Sequence, residues 1–382
     1  MKTNAPQKNI PIGWEKKQIK DLLDYERPDK YIVESDQYLK QGIPVLTANK
    51  SFVLGYTDES GGVYKSIPAI IFDDFTTDSK FVEFPFKVKS SAIKILKEKS
   101  SNIDLRFVFE KMKSINFPTG THKRYYISQY QDMEVLVPPL SEQKKIAEIL
   151  RAVDEYIKKT EEIIIATKKL KKGLMRRSFS LENEGQEFEV IKLKDVSKIS
   201  SGKTPSRSKK EYYIDGTVPW VKSTEIKFNF VSDTSEKITK RAVEEAKMKI
   251  HPKGAVLIAM YGQGITRGRS AILDCEATTN QAVASVVTNP EKLINLYLFY
   301  WLFFQYDYLR NLGHGGNQKN LNSEILKQLE IPIPSLSKQK RIIEILKSLD
   351  KKEDINHKIK AGLIQLKKGL SQDLLSGKKR TV

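Results

Sequence analysis

Residues 140–174 read LSEQKKIAEILRAVDEYIKKTEEIIIATKKLKKGL, and residues 336–370 read LSKQKRIIEILKSLDKKEDINHKIKAGLIQLKKGL. The two stretches align without a gap at a constant offset of 196, and fifteen of 35 positions are identical. Ordinary composition would give roughly two identities. A repeat of this length predicts a chain built from two equivalent halves. Both copies read as long helices that start after prolines, Pro138-Pro139 and Pro334, with Ser141 and Ser337 as expected N-caps.

In heptads, the first copy places Ile146, Val153, Thr160, Thr167 and Leu174 at a, and Ile149, Tyr156, Ile163 and Leu170 at d. The second places Ile342, Leu349, Asn356, Leu363 and Leu370 at a, and Ile345, Lys352, Ile359 and Leu366 at d. A sustained a/d stripe is the pattern of a coiled coil. Two amphipathic helices, each packed on its own domain, are the plainer alternative. Two equivalent units favour antiparallel pairing, with Thr160 and Asn356 at the central a positions. A buried polar residue there costs stability and fixes register. A helix of about 38 residues spans ~57 Å.

Working outward, the chain divides into a variable segment (1–139), a helix (140–180), a second variable segment (181–335) that opens on a polar linker, and a closing helix (336–379). The variable segments also match loosely. WEKKQIKDL (14–22) resembles FEVIKLKDV (188–196), IPVL (43–46) sits opposite VPWV (218–221), and MEVLVP (133–138) opposite LEIPIP (329–334). The offset grows from 174 to 196, so the second segment carries an insertion of about 21 residues. Short β-rich runs at 43–47, 69–72, 255–260 and 282–287 mix with fewer helical patterns at 90–99, 240–249 and 291–312. Strands and helices do not alternate regularly, so the expected class is α+β with a pseudo-two-fold internal repeat.

Lys and Arg number 66 against 47 Asp and Glu, a formal net charge of +19. That excess favours polyanions such as nucleic acid. The single cysteine, Cys275, excludes an internal disulfide and fits a reducing, cytoplasmic setting. The N-terminal residues contain no apolar signal-peptide core. The apolar run at 293–309 holds Asn295, Gln305 and Asp307 and is too short to span a membrane, so a buried helix is expected.

The chain resembles the specificity subunits of type I restriction-modification systems over nearly its whole length. The phrases VPPLSEQKKIAEIL and IPIPSLSKQKRIIEIL carry the likeness, together with SGKTPSR (201–207), VPWVKSTEI (218–226), PKGAVLIAMYG (252–262), NQAV (280–283) and GGNQKNLNSEILKQLEIPIP (315–334). Segment one departs from the pattern, for it has no SGKTP-like phrase. The resemblance implies two target-recognition domains joined by an antiparallel helix pair, each reading one half of a split DNA site. It implies a helical ruler that docks two modification (methyltransferase) subunits, joined by restriction subunits with ATP-driven translocation, around a subunit that performs no chemistry itself.

The DNA-facing candidates lie in three kinds of loop. SGKTPSRSKK offers Lys203, Arg207, Lys209 and Lys210 to phosphate. It is not a P-loop, because Ser197 stands where a Walker A glycine belongs and Pro205 follows at once. YGQGITRGR (261–269) offers Gln263, Thr266, Arg267 and Arg269 at a strand end, where glycines let backbone approach DNA and Gln and Arg can bond base edges. The loops before the two helices, 120–126 and 313–320, offer His122, Lys123, Arg124, Gln318 and Lys319. A solvated basic loop is the plain alternative for each. The four histidines and Cys275 show no metal-ligand spacing, and no cofactor is expected. The methyltransferase phrase N/D-P-P-Y/F is absent. "EIK" (225–227) lacks a partner acid, which disfavours a stand-alone nuclease. A coiled-coil DNA-organising protein without sequence preference is the other rival.

Overall fold

The computed structural model describes residues 10–48, 51–120, 123–180, 188–262, 265–312 and 321–381. The chain forms two compact units, Met1–Glu162 with His357–Val382, and Ile163–Asn356. Each unit therefore takes one variable segment and one half of each long helix, a grouping that cuts across the linear order.

In the first unit a four-stranded antiparallel sheet runs Leu23–Glu26, Ile93–Glu98, Ala69–Asp73, Ser79–Val82. A three-stranded sheet sets Ile43–Leu46 between Val53–Thr57 and, in parallel, Lys87–Val88. In the second unit the five-stranded sheet runs Ser197–Ser201, Val283–Thr288, Val256–Ala259, Ser270–Leu273, Phe230–Val231. Its three-stranded companion is Lys237–Ile238, Val218–Val221, Thr278–Thr279. Each unit also pairs its first strand with the strand leading into a long helix, Glu15–Gln18 with Glu134–Val137 and Glu189–Lys192 with Glu330–Ile333. Mostly antiparallel sheets with helices to one side make this α+β.

One expected helix, at 90–99, is instead the strand Ile93–Glu98 at the heart of its sheet. Lys94 is buried and pairs with buried Asp74 at 3.1 Å, so a core position carried a surface-like residue. The run at 293–309 forms the helices Asn295–Phe304 and Tyr306–Asn311, with residues 297–302 buried. No helix among the described residues is long and apolar enough to cross a membrane.

The long helices are Leu140–Phe179 and Leu336–Leu375, 40 residues each. The second ends four residues short of the expected 379. Ser141 and Ser337 lie inside the first turn and are not the caps. The backbone carbonyl of Pro139 accepts the first N–H groups in one copy, and Ser335 does so in the other.

Each helix start is locked onto its domain by a buried glutamine. Gln143 donates through Nε2 to the carbonyls of Pro138 (2.9 Å) and Asn102 (3.2 Å), and its Oε1 accepts from the N–H of Asp104 (2.9 Å). Gln339, its counterpart 196 residues on, donates to Pro334 (2.9 Å) and Lys292 (2.8 Å) and accepts from Ile294 (2.9 Å). The helix halves are matched in the same way. In the first unit Lys367 pairs with Asp154 at 2.6 Å and Lys360 with Glu161. In the second, Lys171 pairs with Asp350 and Lys168 with Glu353 at 3.5 Å. The residue numbers of each pair add to one constant, as antiparallel neighbours require. Asp154–Lys367 and Asp350–Lys171 are the same pair at the repeat offset. Arg106 supports the first (2.9 Å to Asp154), and the Tyr300 hydroxyl the second (2.6 Å to Asp350).

The least exposed line of the first helix is Leu150, Val153, Ile157, Thr160, Ile164, Thr167, Lys171 and Leu174. That of the second is Leu346, Leu349, Glu353, Asn356, Lys360, Leu363, Lys367 and Leu370. Of the expected core, Ile146, Val153, Thr160, Ile342 and Leu349 are buried, and Ile149 and Asn356 half-buried. The remaining d positions need correction. Ile163, Leu170, Ile345, Ile359 and Leu366 are 41–61% exposed, because the seam uses the following residue instead. Those neighbours include Lys171, Lys360 and Lys367, whose stems cover the seam while their heads pair across it. Thr160 and Asn356 bond back to their own helices, at the carbonyls of Tyr156 and Lys352 (2.7 Å each), so neither needs a partner on the other helix.

The first unit is closed by residues that follow the second long helix. The buried Glu142 carboxylate accepts from the Trp14 indole (3.1 Å) and from Arg380 Nε (2.7 Å) and Nη2 (2.8 Å), and Arg380 Nη1 reaches the carbonyl of Ile12 (2.9 Å). Leu374 and Leu375 join the first unit's core.

Two stability outcomes follow from buried polar groups. Gln339→Leu keeps the volume but orphans two carbonyls and one N–H, a cost of about 3 kcal/mol. Calorimetry should show the second unit melting about 6–12 °C lower, with Lys340→Leu on the exposed side nearly neutral. His251 is fully buried, and neither ring nitrogen has a partner among the described residues. Burial, aided by Lys249, pushes its pKa down to about 4. The unfolded chain takes up that proton near pH 6.5. The second unit should therefore lose stability as pH falls from about 6.5 to 4, by about 3 kcal/mol. Urea titrations of His251→Gln should lack that portion of the slope.

Candidate nucleic-acid interface

Both units bring strand-end loops beside the segment that precedes a long helix. In the first unit the turn after Ala69–Asp73 is tied down by Asp73, whose Oδ1 accepts the N–H groups of Phe75 and Thr76 (2.9 Å each). Thr77 completes it at φ +60°. The pre-helix loop docks on this turn. The N–H of Tyr125 reaches the carbonyl of Asp74 (2.9 Å), and that of Tyr126 reaches Asp74 Oδ1 (2.8 Å). Lys123 and Arg124 are exposed there, with the Arg124 guanidinium 5.7 Å from the Phe75 ring.

In the second unit the corresponding loop follows Val256–Ala259. Gly262 sits at φ +152°, and a Cβ would stand 2.6 Å from that of Thr266, so the turn admits only glycine. The loop is tied to the helix beside it. Arg267 Nη2 donates to the carbonyl of Arg310 (2.7 Å), and the Tyr306 hydroxyl to that of Ile265 (2.6 Å). Arg269 lies 6.0 Å from the Phe228 ring. Thr266, Arg267 and Arg269 are half-buried. His122, Gln263, Gln318 and Lys319 lie outside the described residues.

The SGKTPSR loop is a structural turn. Gly202 passes so close to Thr279 that a Cβ would lie 2.0 Å from its carbonyl oxygen. Lys203 donates to the carbonyl of Ala246 (3.2 Å). Arg207 forms a two-pronged ion pair with Glu236 and stacks on Tyr213 (4.3 Å) and Trp220 (5.0 Å). That contact holds the Glu236 carboxyl below the usual carboxylate range. Lys209 bonds Glu245 (3.0 Å) and the Tyr212 hydroxyl (2.7 Å). Tyr212, Arg241 and Lys209 together bring Glu245 down to about 2. Arg207 and Lys209 are thus committed to carboxylates rather than standing free for phosphate. Lys210 is exposed. Among the described residues no group of three or more His, Cys, Asp or Glu is placed to hold a metal ion.

Two exposed aromatics at the strand ends, Phe75 and Tyr261, escaped the reading of the sequence, which weighed only polar side chains in these loops. The available signal was an aromatic within three residues of the end of an apolar run, directly after it at Tyr261 and past two aspartates at Phe75.

The family model described as type I restriction modification DNA specificity domain matches residues 11–168 and again 185–365. The specificity subunit of the type I restriction enzyme EcoR124I/EcoR124II from Escherichia coli is 33% identical over 369 residues, covering 93% of this chain and 88% of that protein. The MjaVIII specificity subunit from Methanocaldococcus jannaschii is 26% identical over 97% of this chain and 94% of its own length. The crystal structure of the type I restriction-modification S subunit from M. genitalium shares the fold, with a TM-score of 0.65 at 17% identity over 97% of this chain and 98% of that one. Matched along both of its halves, the chain belongs to the family of DNA specificity subunits of type I restriction-modification systems, a non-catalytic component.

Proposed function

We propose that this chain chooses the DNA target of a type I restriction-modification complex in the cytoplasm, each recognition domain reading one half of an asymmetric, interrupted site. The observation that carries the reading is the duplicated framework. Gln143 and Gln339 make the same three bonds, and the pairs Asp154–Lys367 and Asp350–Lys171 recur at one offset, while the loops at the strand ends differ. A shared frame with unlike loops suits two readers of unlike half-sites. On this reading the helices form an antiparallel coiled coil about a pseudo-two-fold axis, and its length sets the half-site spacing. The seam positions spaced alternately three and four apart support it.

Exposed Lys123, Arg124 and Lys210 supply salt-sensitive phosphate or base contacts, with Arg267 and Arg269 behind the second loop. His122, Gln263, Thr266, Gln318 and Lys319 remain candidates for base-edge bonds, and Lys203, Arg207 and Lys209 support the loop nearby. Modification and restriction subunits complete the assembly. For the two modification subunits the helices offer an outward apolar line at Tyr156, Ile163 and Leu170 on one and Ile345, Ile359 and Leu366 on the other. Small residues space it at Ala152, Ala166 and Gly173, and at Gly362 and Gly369, where a Cβ would meet nothing within 4 Å. Close approach of a partner helix suits such a surface.

Methylome sequencing of a host expressing this chain with a cognate modification subunit should reveal one bipartite methylated motif. Exchanging residues 1–139 for those of a relative should change one half of it and leave the other; a change in both halves would refute the modular reading. Leu366→Asp should weaken capture of the modification subunit by ~tenfold or more, since it buries a charge at the contact. The melting temperature of the chain alone should stay within about 2 °C, because Leu366 is exposed.

A further inference from the structure

We infer that Phe75 and Tyr261 are equivalent base-contacting residues, one in each recognition domain, which read their half-sites through apolar contact with a base, the thymine 5-methyl above all. The inference rests on the specificity reading above.

The equivalence comes from each sheet's own register. Asp73 pairs with Ile93 in the first unit, and Ala259 with Val283 in the second. One residue on, the N–H of Asp74 donates to the carbonyl of Ala92 (2.9 Å), and that of Met260 to the carbonyl of Ala282 (2.8 Å). Phe75 and Tyr261 are therefore both the second residue past the end of the same strand. Everything after them differs, for the turns that follow run to Ser79 and to Ser270. An exposed aromatic is kept at one topological point although the loops around it have diverged.

Single exposed aromatics on protein surfaces need no explanation. Three features set these two apart. Phe75 and Tyr261 keep 39% and 36% of their surface exposed. Each sits on a backbone that is held, by the Asp73 side chain in one case and by the Gly262–Thr266 approach in the other. Phe75 lies beside Arg124, and Tyr261 opens the stretch of sequence that carries Arg267 and Arg269. The Arg124 guanidinium is 5.7 Å from the Phe75 ring, which restrains its plane while leaving its edge free. In the major groove a guanidinium edge matches guanine O6 and N7, and an aromatic ring matches the thymine methyl group. A ring and a guanidinium held together can read two adjacent base pairs.

The test uses the assembled complex of this chain with its modification subunits, S-adenosylmethionine and a library of duplex targets sequenced for methylation. Phe75→Ala should relax one position in one half-site, with roughly tenfold or greater loss of discrimination there, and leave the other half unchanged. Tyr261→Ala should do the converse. Both variants should melt with the parent. Replacing thymine by uracil at the relaxed position should slow methylation by the unaltered complex and leave the matching variant indifferent. Scanned over every thymine of the parent's motif, the same substitution needs no variant, so it still tests the inference if an alanine variant fails to fold. Unchanged motifs in both variants, or no thymine in either half-site whose methyl group matters, would overturn the inference. If the unaltered complex yields no motif at all, the specificity reading itself fails and takes the inference with it.

Discussion

A buried primary amide holds the molecule to its plan. Gln143 and Gln339 each satisfy two carbonyls and one N–H at the point where a recognition domain meets a long helix. No shorter, longer or charged side chain would match all three groups in that space, and leaving them unpaired in a dry interior is costly. The helix direction is thereby set relative to the sheet of its own unit. The Asp–Lys pairs farther along then fix how the helix halves lie against each other. Loops at the strand ends can vary freely because nothing in this frame depends on them.

Much of that frame is visible in the letters of the chain, and the reason is local. The helices repeat without a gap, and most of their a positions are apolar. The other half of the seam is hidden, because Lys171, Lys360 and Lys367 look like surface residues until their carboxylate partners, some 180 to 210 residues away, are known. The strand Ile93–Glu98 is hidden for the same reason. Lys94 becomes a core residue only opposite Asp74, and charge is read as exposure when the partner is not in view.

The candidate interface shows the converse. Basic loops are easy to find in a chain with 66 Lys and Arg, but which of those charges are free is a tertiary property. Arg207 is neutralised by Glu236, 29 residues on, and wedged against Trp220. Arg124 stays exposed because the loop that carries it is fastened by its neighbours, Tyr125 and Tyr126. Phe75 and Tyr261 become comparable only through strand register, since no alignment of their unlike turns would set them side by side. On the proposed reading, positive charge marks the faces that attract a polyanion, and the backbone framework decides where contact becomes selective.

The Glu142–Arg380 clasp has a consequence for biosynthesis. The second unit is one continuous stretch of chain, Ile163–Asn356, whereas the first joins two separate stretches, Met1–Glu162 and His357–Val382. On the ribosome the second unit has all its residues before the first can close. The first waits with Glu142 and the core around Trp14 uncovered until Leu374 to Arg380 emerge. A chain stopped before those residues would carry one closed unit and one open one.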